Sequence, residues 1–452
     1  MPGRGASIRP CRFTSALGVV LAALAAPAAA EDLLQVYRDA QRYDAVYTGA
    51  RYTLEAGRER IPQARALLLP NVNLTASATE QRLDVRSSNT AVSPSFIRTP
   101  TSAAYNLTLS QPVFRPQNFV ARSQADYQVR QSEATYGLAS QDLVLRVVQG
   151  YFDVQAAQDT LELVGAQKAA ISEQLAQAKR NFEVGTATIT DTHEAQARYD
   201  LIVAQEIAAQ NDLDSKRRAL QLITGKEYTQ LKPLRGEVRL TPPAPSDMQS
   251  WVDIAERQAY PVLAQEAATE VAQLEVRRQS AGHWPTIDLV GAYGTTHDTG
   301  SLQVPVGRDI SSAQIGLQLA VPLYQGGAIS SREREAAANY FKAREDVQNA
   351  KRTAALNTRQ TYLSVINGIA QIGALEQALV SSQSALDSNR LGYEVGVRIN
   401  IDVLNAQQQL FQTRRDLAVA RYNLLVNQLK LKAAVGALRD EDVEEINRAL
   451  VP

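Results

Sequence analysis

The stretch RNFEVGTATITDTHEA at residues 180–195 and the stretch LGYEVGVRINIDVLNA at 391–406 place a Val-Gly break and an aspartate in one frame, 211 residues apart. The offset holds over a long distance: Tyr151 answers Tyr362, Phe182 answers Tyr393, Asp191 answers Asp402 and Gly225 answers Gly436. Upstream it drifts to 210 at Pro112 and Pro322 and to 215 at Pro70 and Pro285. The chain therefore reads as two similar halves, and whatever the first adopts the second adopts too. Pro233, Pro242, Pro243 and Pro245 mark an irregular linker between them at 226–250.

Within each half the periodicities come in the same order. Helix-like sequence (33–69 and 250–283) gives way at Pro70 or Pro285 to strict alternation. In NVNLTASA, Val72, Leu74, Ala76 and Ala78 share one face while Asn71, Asn73, Thr75 and Ser77 share the other. The returning stretch YNLTLSQPVF alternates likewise, and so does AQIGLQLAV in the second half. This is the mark of a sheet with one apolar and one polar face. The expected strands are about 9–11 residues long, enough to cross a tilted bilayer path. Trp284, Phe114 and Tyr324 fall at their ends, where interfacial aromatics or ordinary rim packing would put them. Pro70, Pro112, Pro285 and Pro322 fall at the four changes between helical and strand periodicity, where a residue without a backbone donor belongs. The loops inside the two hairpins, roughly 82–103 and 296–311, are rich in Ser, Thr, Gly and Pro, as exposed tips are.

After each hairpin comes a long helical run. From Ser330 to Arg390 there is no proline and glycine appears only at Gly368 and Gly373, a helix of about 90 Å. The helix after it carries Val403, Leu410, Leu417, Leu424 and Leu431 at strict sevens, which calls for coiled-coil packing against neighbours.

The N-terminus carries Arg4, Arg9 and Arg12 before the apolar run LGVVLAALAAPAAA, the pattern of a secretory signal peptide over residues 1–30. The only cysteine, Cys11, lies within it, so the exported chain is expected to have no disulfide and no thiolate ligand. The whole chain is formally neutral, and removal of three arginines leaves a small acidic excess, which gives no footing for nucleic acid. His193, His283 and His297 stand in unlike contexts, and no H-E-x-x-H, G-x-S-x-G or phosphate loop appears, so neither enzyme, cofactor nor metal site is expected. No later segment runs 18 apolar residues, so membrane residence falls to a closed β-barrel. Four strands cannot close one. Identical copies around one axis would, with the polar strand faces lining a wet interior.

The motifs NFEVGTATITD, GYEVGVRINIDVL, VPLYQGG (321–327), GHWPTIDL (282–289) and ARYNLLVNQLKLKAAVGAL (420–438) resemble the TolC family of outer-membrane efflux proteins, in order and over essentially the whole chain after residue 30. The resemblance implies a mainly α fold with a small β part: a homotrimeric outer-membrane β-barrel, four strands per protomer, continued by a long periplasmic α-helical barrel. It divides the chain into a first repeat (31–225, hairpin about 70–114), a linker in the equatorial region (226–250), a second repeat (251–438, hairpin about 285–324) and a C-terminal equatorial segment (439–452). It implies an exit duct for efflux or type I secretion, working with a periplasmic adaptor protein and an inner-membrane RND or ABC transporter. A structural periplasmic coiled coil or an adhesin-like protein is the alternative.

The Val-Gly breaks then lie at the end farthest from the strands, the periplasmic mouth. Gly185 and Gly396 suit helix C-caps, and Asp191 and Asp402 start the next helices, Asp191 with Glu194 resembling a capping box. Three copies of Asp402 would form a ring of carboxylates, and Asn405 stands where close relatives have a second aspartate. The resemblance also places a gate latch at Tyr393, Arg398, Thr190 and Asp191, with Arg398 and the Tyr393 hydroxyl expected on the Asp191 carboxylate.

Overall fold

The computed structural model describes residues 31–451 apart from 87, 89–94, 236–240 and 301–305. The expected signal peptide, with Cys11, lies outside the described residues. The first half runs α1 (Leu33–Tyr43), α2 (Ala45–Arg58), α3 (Arg60–Ala66), β1 (Asn71–Glu80), a short hairpin of β2 (Leu83–Val85) and β3 (Phe96–Arg98), β4 (Thr101–Phe114), α4 (Pro116–Glu183) and α5 (Ile189–Thr224). The second runs α6 (Met248–Gln258), α7 (Tyr260–Ser280), a 3-10 turn, β5 (Thr286–Asp298), β6 (Arg308–Ala320), α8 (Ala328–Glu394) and α9 (Asn400–Ala434), and a short α10 (Asp440–Arg448) follows. Helices α4 and α8, at 68 and 67 residues, are each about 100 Å long.

The four long strands form one antiparallel sheet in the order β1-β4-β5-β6. The register keeps the two faces distinct: Val72 lies opposite Leu109 and Leu74 opposite Leu107, while Asn73 faces Thr108 and Thr75 faces Asn106. On the far side Leu289 meets Leu317 and Ile287 meets Leu319. Every residue of β1 and of β6 is exposed, so both edges of the sheet and its apolar face are uncovered in one protomer.

Two expectations about the strands are corrected. Strands β4, β5 and β6 have 14, 13 and 13 residues, beyond the 9–11 read from alternation. The ladder needs only backbone groups, so it continues through Thr101–Ala104 and Thr295–Asp298, where the apolar pattern has faded. Pro112 does not mark a junction: it sits inside β4 opposite Asp288, and the register shifts between Pro112 and Phe114. An irregularity of this kind is where a strand tolerates a missing N–H. The strand-to-helix junction falls instead at Arg115, whose Nε and Nη2 donate to the buried Asp288 carboxylate at 2.7 and 2.6 Å.

Two cores sit midway along the helices. One gathers Val36 of α1, Val147 and Phe152 of α4, Leu220 of α5, Leu425 of α9 and Val443 of α10. Its counterpart gathers Trp251 of α6, Val262 of α7, Val365 and Ile372 of α8, and Leu424 and Leu431 of α9. The repeat shows in how each is anchored. Tyr151 donates to the Lys232 carbonyl at 2.7 Å, and its counterpart Tyr362 donates to the Ser246 carbonyl. Each long helix is thus tied to an end of the linker. All five residues of the α9 heptad are buried, as knobs in a shared seam should be. By length and composition α8 contains a stretch that could cross a membrane. Its Val365 and Ile372 are fully buried in the second core, and Glu376 pairs with Arg421 at 2.9 Å, which fits a helix packed among helices.

Charge fixes the cores as well as apolar area. Asp44 caps α2, accepting from the Tyr47 N–H at 2.6 Å, and takes both terminal nitrogens of Arg146 at 2.8 and 3.1 Å. This break divides α1 from α2 within the helix-like stretch 33–69, and a second at Glu59 divides α2 from α3.

Candidate functional site

Far from the sheet, α4 turns into α5 and α8 into α9. The two turns are built alike. The N–H groups of Gly185 and Thr186 donate to the carbonyls of Phe182 and Asn181 at 3.0 and 2.8 Å. Those of Gly396 and Val397 donate to Tyr393 and Gly392 at 3.1 and 2.9 Å. Both are Schellman ends, and the glycines take φ of 77° and 79°, the left-handed region that L side chains resist.

Beyond the glycine the turns diverge. In the first, Thr188 is the N-cap: its Oγ1 accepts from the Asp191 N–H at 3.3 Å, and Asp191 Oδ2 accepts from the Thr188 N–H and hydroxyl at 2.9 and 2.8 Å. The capping box is therefore Thr188 with Asp191, not Asp191 with Glu194, because the helix begins one turn earlier than expected. In the second turn Ile399 stands where Thr188 stood and no side chain caps α9. Asp402 is left free of that duty and pairs with Arg398 at 3.7 Å, both side chains partly exposed.

This pairing corrects the expected latch within one protomer. Arg398 is one turn from Asp402 and pairs there, and the Asp191 carboxylate is already held by Thr188. The Tyr393 hydroxyl accepts instead from Asn181 Nδ2 at 3.3 Å, across from α8 to α4. Thr190 is exposed in the first turn of α5. Side-chain size is exchanged between the repeats at this point: Asn181 and Ala187 in the first answer Gly392 and Arg398 in the second. A Cβ on Gly392 would lie 2.7 Å from Arg398 Cγ, so the glycine gives the arginine stem its place.

Asn405 is engaged by a residue that sequence reasoning missed. Arg198 of α5 donates through Nη2 to Asn405 Oδ1 and through Nη1 to Gln408 Oε1, both at 2.8 Å. Among the described residues Arg198 has no titratable partner, and no motif surrounds it, so the available signal was the i,i+3 spacing of two amides on the facing helix. A third link joins Gln174 Nε2 of α4 to Asn400 Oδ1 of α9 at 2.9 Å. Apolar packing here is thin, in clusters such as Ile171, Ile202 and Leu404, and Leu386, Val403 and Leu410. Buried Asn400 and Gln407 each keep one side-chain atom without a hydrogen bond. Within the first repeat, Glu206 sits 2.6 Å from Lys168 and holds its ammonium above the usual range. Among the described residues no three His, Cys, Asp or Glu side chains gather as a metal site.

The family model for outer membrane efflux proteins matches this chain in two blocks, residues 48–226 and 251–437, one for each repeat. The outer membrane protein TolC of Vibrio cholerae is 32% identical, over 98% of this chain and 98% of that protein. The alkaline protease secretion protein AprF of Pseudomonas aeruginosa is 30% identical, over 96% of this chain and 90% of its own length. Among solved structures, the outer membrane protein VceC of Vibrio cholerae superposes with a TM-score of 0.74 at 19% identity, covering 89% of this chain and 96% of that one.

Proposed function

The chain belongs to the outer membrane efflux protein family, and on that premise we propose how its mouth controls passage. It is an outer-membrane exit duct for efflux or type I secretion, extending into the periplasm. TolC-family channels are trimeric and work with efflux or secretion systems, and the relatives are channel and secretion proteins rather than enzymes.

The observation that carries the reading is a four-stranded sheet with both edges open, its strands β4 and β6 followed by the long helices α4 and α8. In lipid, an unpaired strand edge leaves a row of backbone groups unsatisfied, each at several kcal/mol. Pairing β6 of one copy with β1 of the next removes every edge, and three copies make a barrel of 12 strands. The long helices then wall a periplasmic conduit. A periplasmic adaptor and an RND or ABC transporter of the inner membrane would supply the load and the energy.

In this arrangement the mouth is the constriction. Asp402 appears three times around the axis, and a ring of carboxylates attracts cations and hinders their exit. Asn405 contributes no charge, so the ring is single. Tyr393, Arg398, Thr190 and Asp191 surround it, and the links that these and neighbouring side chains make decide whether the helix pairs stay together.

Reconstituted in planar bilayers, the trimer should conduct and should be blocked by divalent cations from the mouth side. In Asp402→Ala the blocking concentration should rise at least about tenfold, the loss of the only charged ring. Equal block in parent and variant would remove Asp402 from the constriction.

A further inference from the structure

Resting on the reading of the mouth as the constriction, we propose that Arg198 is the positioning residue that holds this duct closed. Three described side-chain links join the first-repeat helices to the second-repeat helices at the mouth: Asn181 to Tyr393, Gln174 to Asn400, and Arg198 to Asn405 and Gln408. The first two join neutral groups, one bond each. The third has a charged donor and two bonds of 2.8 Å. Charge-assisted bonds are roughly twice as strong as neutral ones, and a planar fork fixes orientation as well as distance. Asn405 and Gln408 are three apart, hence neighbours on one face of α9. A fork that grips both resists rotation of α9 about its own axis, as well as its departure from α5.

Burial does not supply an equivalent hold. The midway cores fill the seam of α9 with leucines, whereas near the mouth Asn400 and Gln407, seven residues apart, occupy buried positions. Asn400 Nδ2 and Gln407 Oε1 have no partner among the described residues. A buried polar atom left unbonded weakens the seam that contains it, so the lower part of α9 depends on directional bonds to stay in place. Arg198 makes the strongest of these. The charged tie therefore runs from α5 to α9, while Arg398, the residue the sequence put forward, pairs within its own repeat.

The test uses the full-length trimer in planar bilayers. Arg198→Gln should raise the open-to-closed ratio about tenfold, as loss of a bond to a charged group implies. Asn405→Ala with Gln408→Ala should match it, and adding Arg198→Gln to that pair should change nothing more. Arg198→Lys, which keeps the charge but not the fork, should restore only part of the closure. Asn405→Asp makes the tie an ion pair and should lower the ratio below that of the parent, which keeps the proposal open to refutation if Arg198→Gln fails to assemble. An unchanged ratio in Arg198→Gln, or additive effects in the triple variant, would overturn the assignment. Asp402→Ala measured alongside separates the two levels. Relief of cation block with no effect of Arg198→Gln removes only the tie, whereas no effect of either removes the mouth as constriction and the tie with it.

Discussion

Four glycines end the long helices, and they fall into two pairs. Gly225 and Gly436 close α5 and α9 beside the cores, with φ of 75° and 74°, and Gly185 and Gly396 close α4 and α8 at the mouth, with φ of 77° and 79°. All four take the same left-handed backbone to end a helix. Their surroundings are not. A Cβ on Gly436 would lie 2.4 Å from the Gln258 carbonyl oxygen, and one on Gly225 would lie 2.6 Å from the Tyr43 ring, whereas nothing stands within 4 Å at Gly185 or Gly396. The middle of the molecule is built tight around its helix ends and the far turns are built open, as the proposed opening of that end requires. The largest effect should come from this contrast. Gly436→Ala adds a collision with a backbone oxygen to the left-handed penalty and should cost about 3 kcal/mol or more, against about 1–2 kcal/mol for Gly396→Ala. Chemical unfolding of the two variants side by side would show it, and equal losses would dissolve the distinction.

A sharper probe of the tight region is its charge. Burial between α4 and α9 holds the Asp159 carboxyl above the ordinary range, although the Tyr422 hydroxyl donates to it at 2.6 Å and pulls the other way. Arg146 holds Asp44 below that range. The signs are opposite. For Asp159 the ionised form is the costly one, so its penalty is absent below the ordinary carboxylate range and complete above the raised value. For Asp44 the ion pair stabilises above the ordinary range and is lost as pH falls through the lowered value. Tyr422→Phe removes the donor that offsets burial and should cost about 1.5–2 kcal/mol at neutral pH. The loss should shrink as pH falls and Asp159 takes up its proton, and a pH-independent loss would mean that the tyrosine acts by packing alone.

The contrast also decides what a sequence can disclose. The heptad of α9 and the left-handed glycines were legible because each rests on a local rule: a repeating apolar position or a backbone angle. Pro70, Pro285 and Pro322 flank strands for the same reason, and Pro112 misleads because a strand irregularity accommodates the same missing donor. The two turns far from the sheet were legible as a place, and the bonds their side chains make were less so. Asp191 can cap its own helix with Glu194 or serve Thr188, and both spacings satisfy the capping rule, so only the start of the helix decides between them. Arg198 escapes because its acceptors are neutral amides more than 200 residues away, a pairing no charge pattern announces.

The smallest effect tests the difference between the two mouth turns themselves. Thr188→Ala should fray the first turn of α5 at a cost of about 1 kcal/mol, since it removes the hydroxyl that accepts from the Asp191 N–H. Ile399→Thr is the converse change. It offers α9 the cap it lacks and offers the Asp402 carboxylate a threonine hydroxyl as a partner, as Thr188 offers Asp191, in place of Arg398, which holds it only loosely at 3.7 Å. A gain of about 0.5–1 kcal/mol should follow, with slower amide exchange over residues 400–404. Cation block at the mouth should weaken in the same variant, because a carboxylate engaged by its own helix is less available to a passing ion. If exchange slows and block is unaffected, the freedom of Asp402 in the second turn is a structural accident and not the difference that makes one repeat the charged lip of the duct.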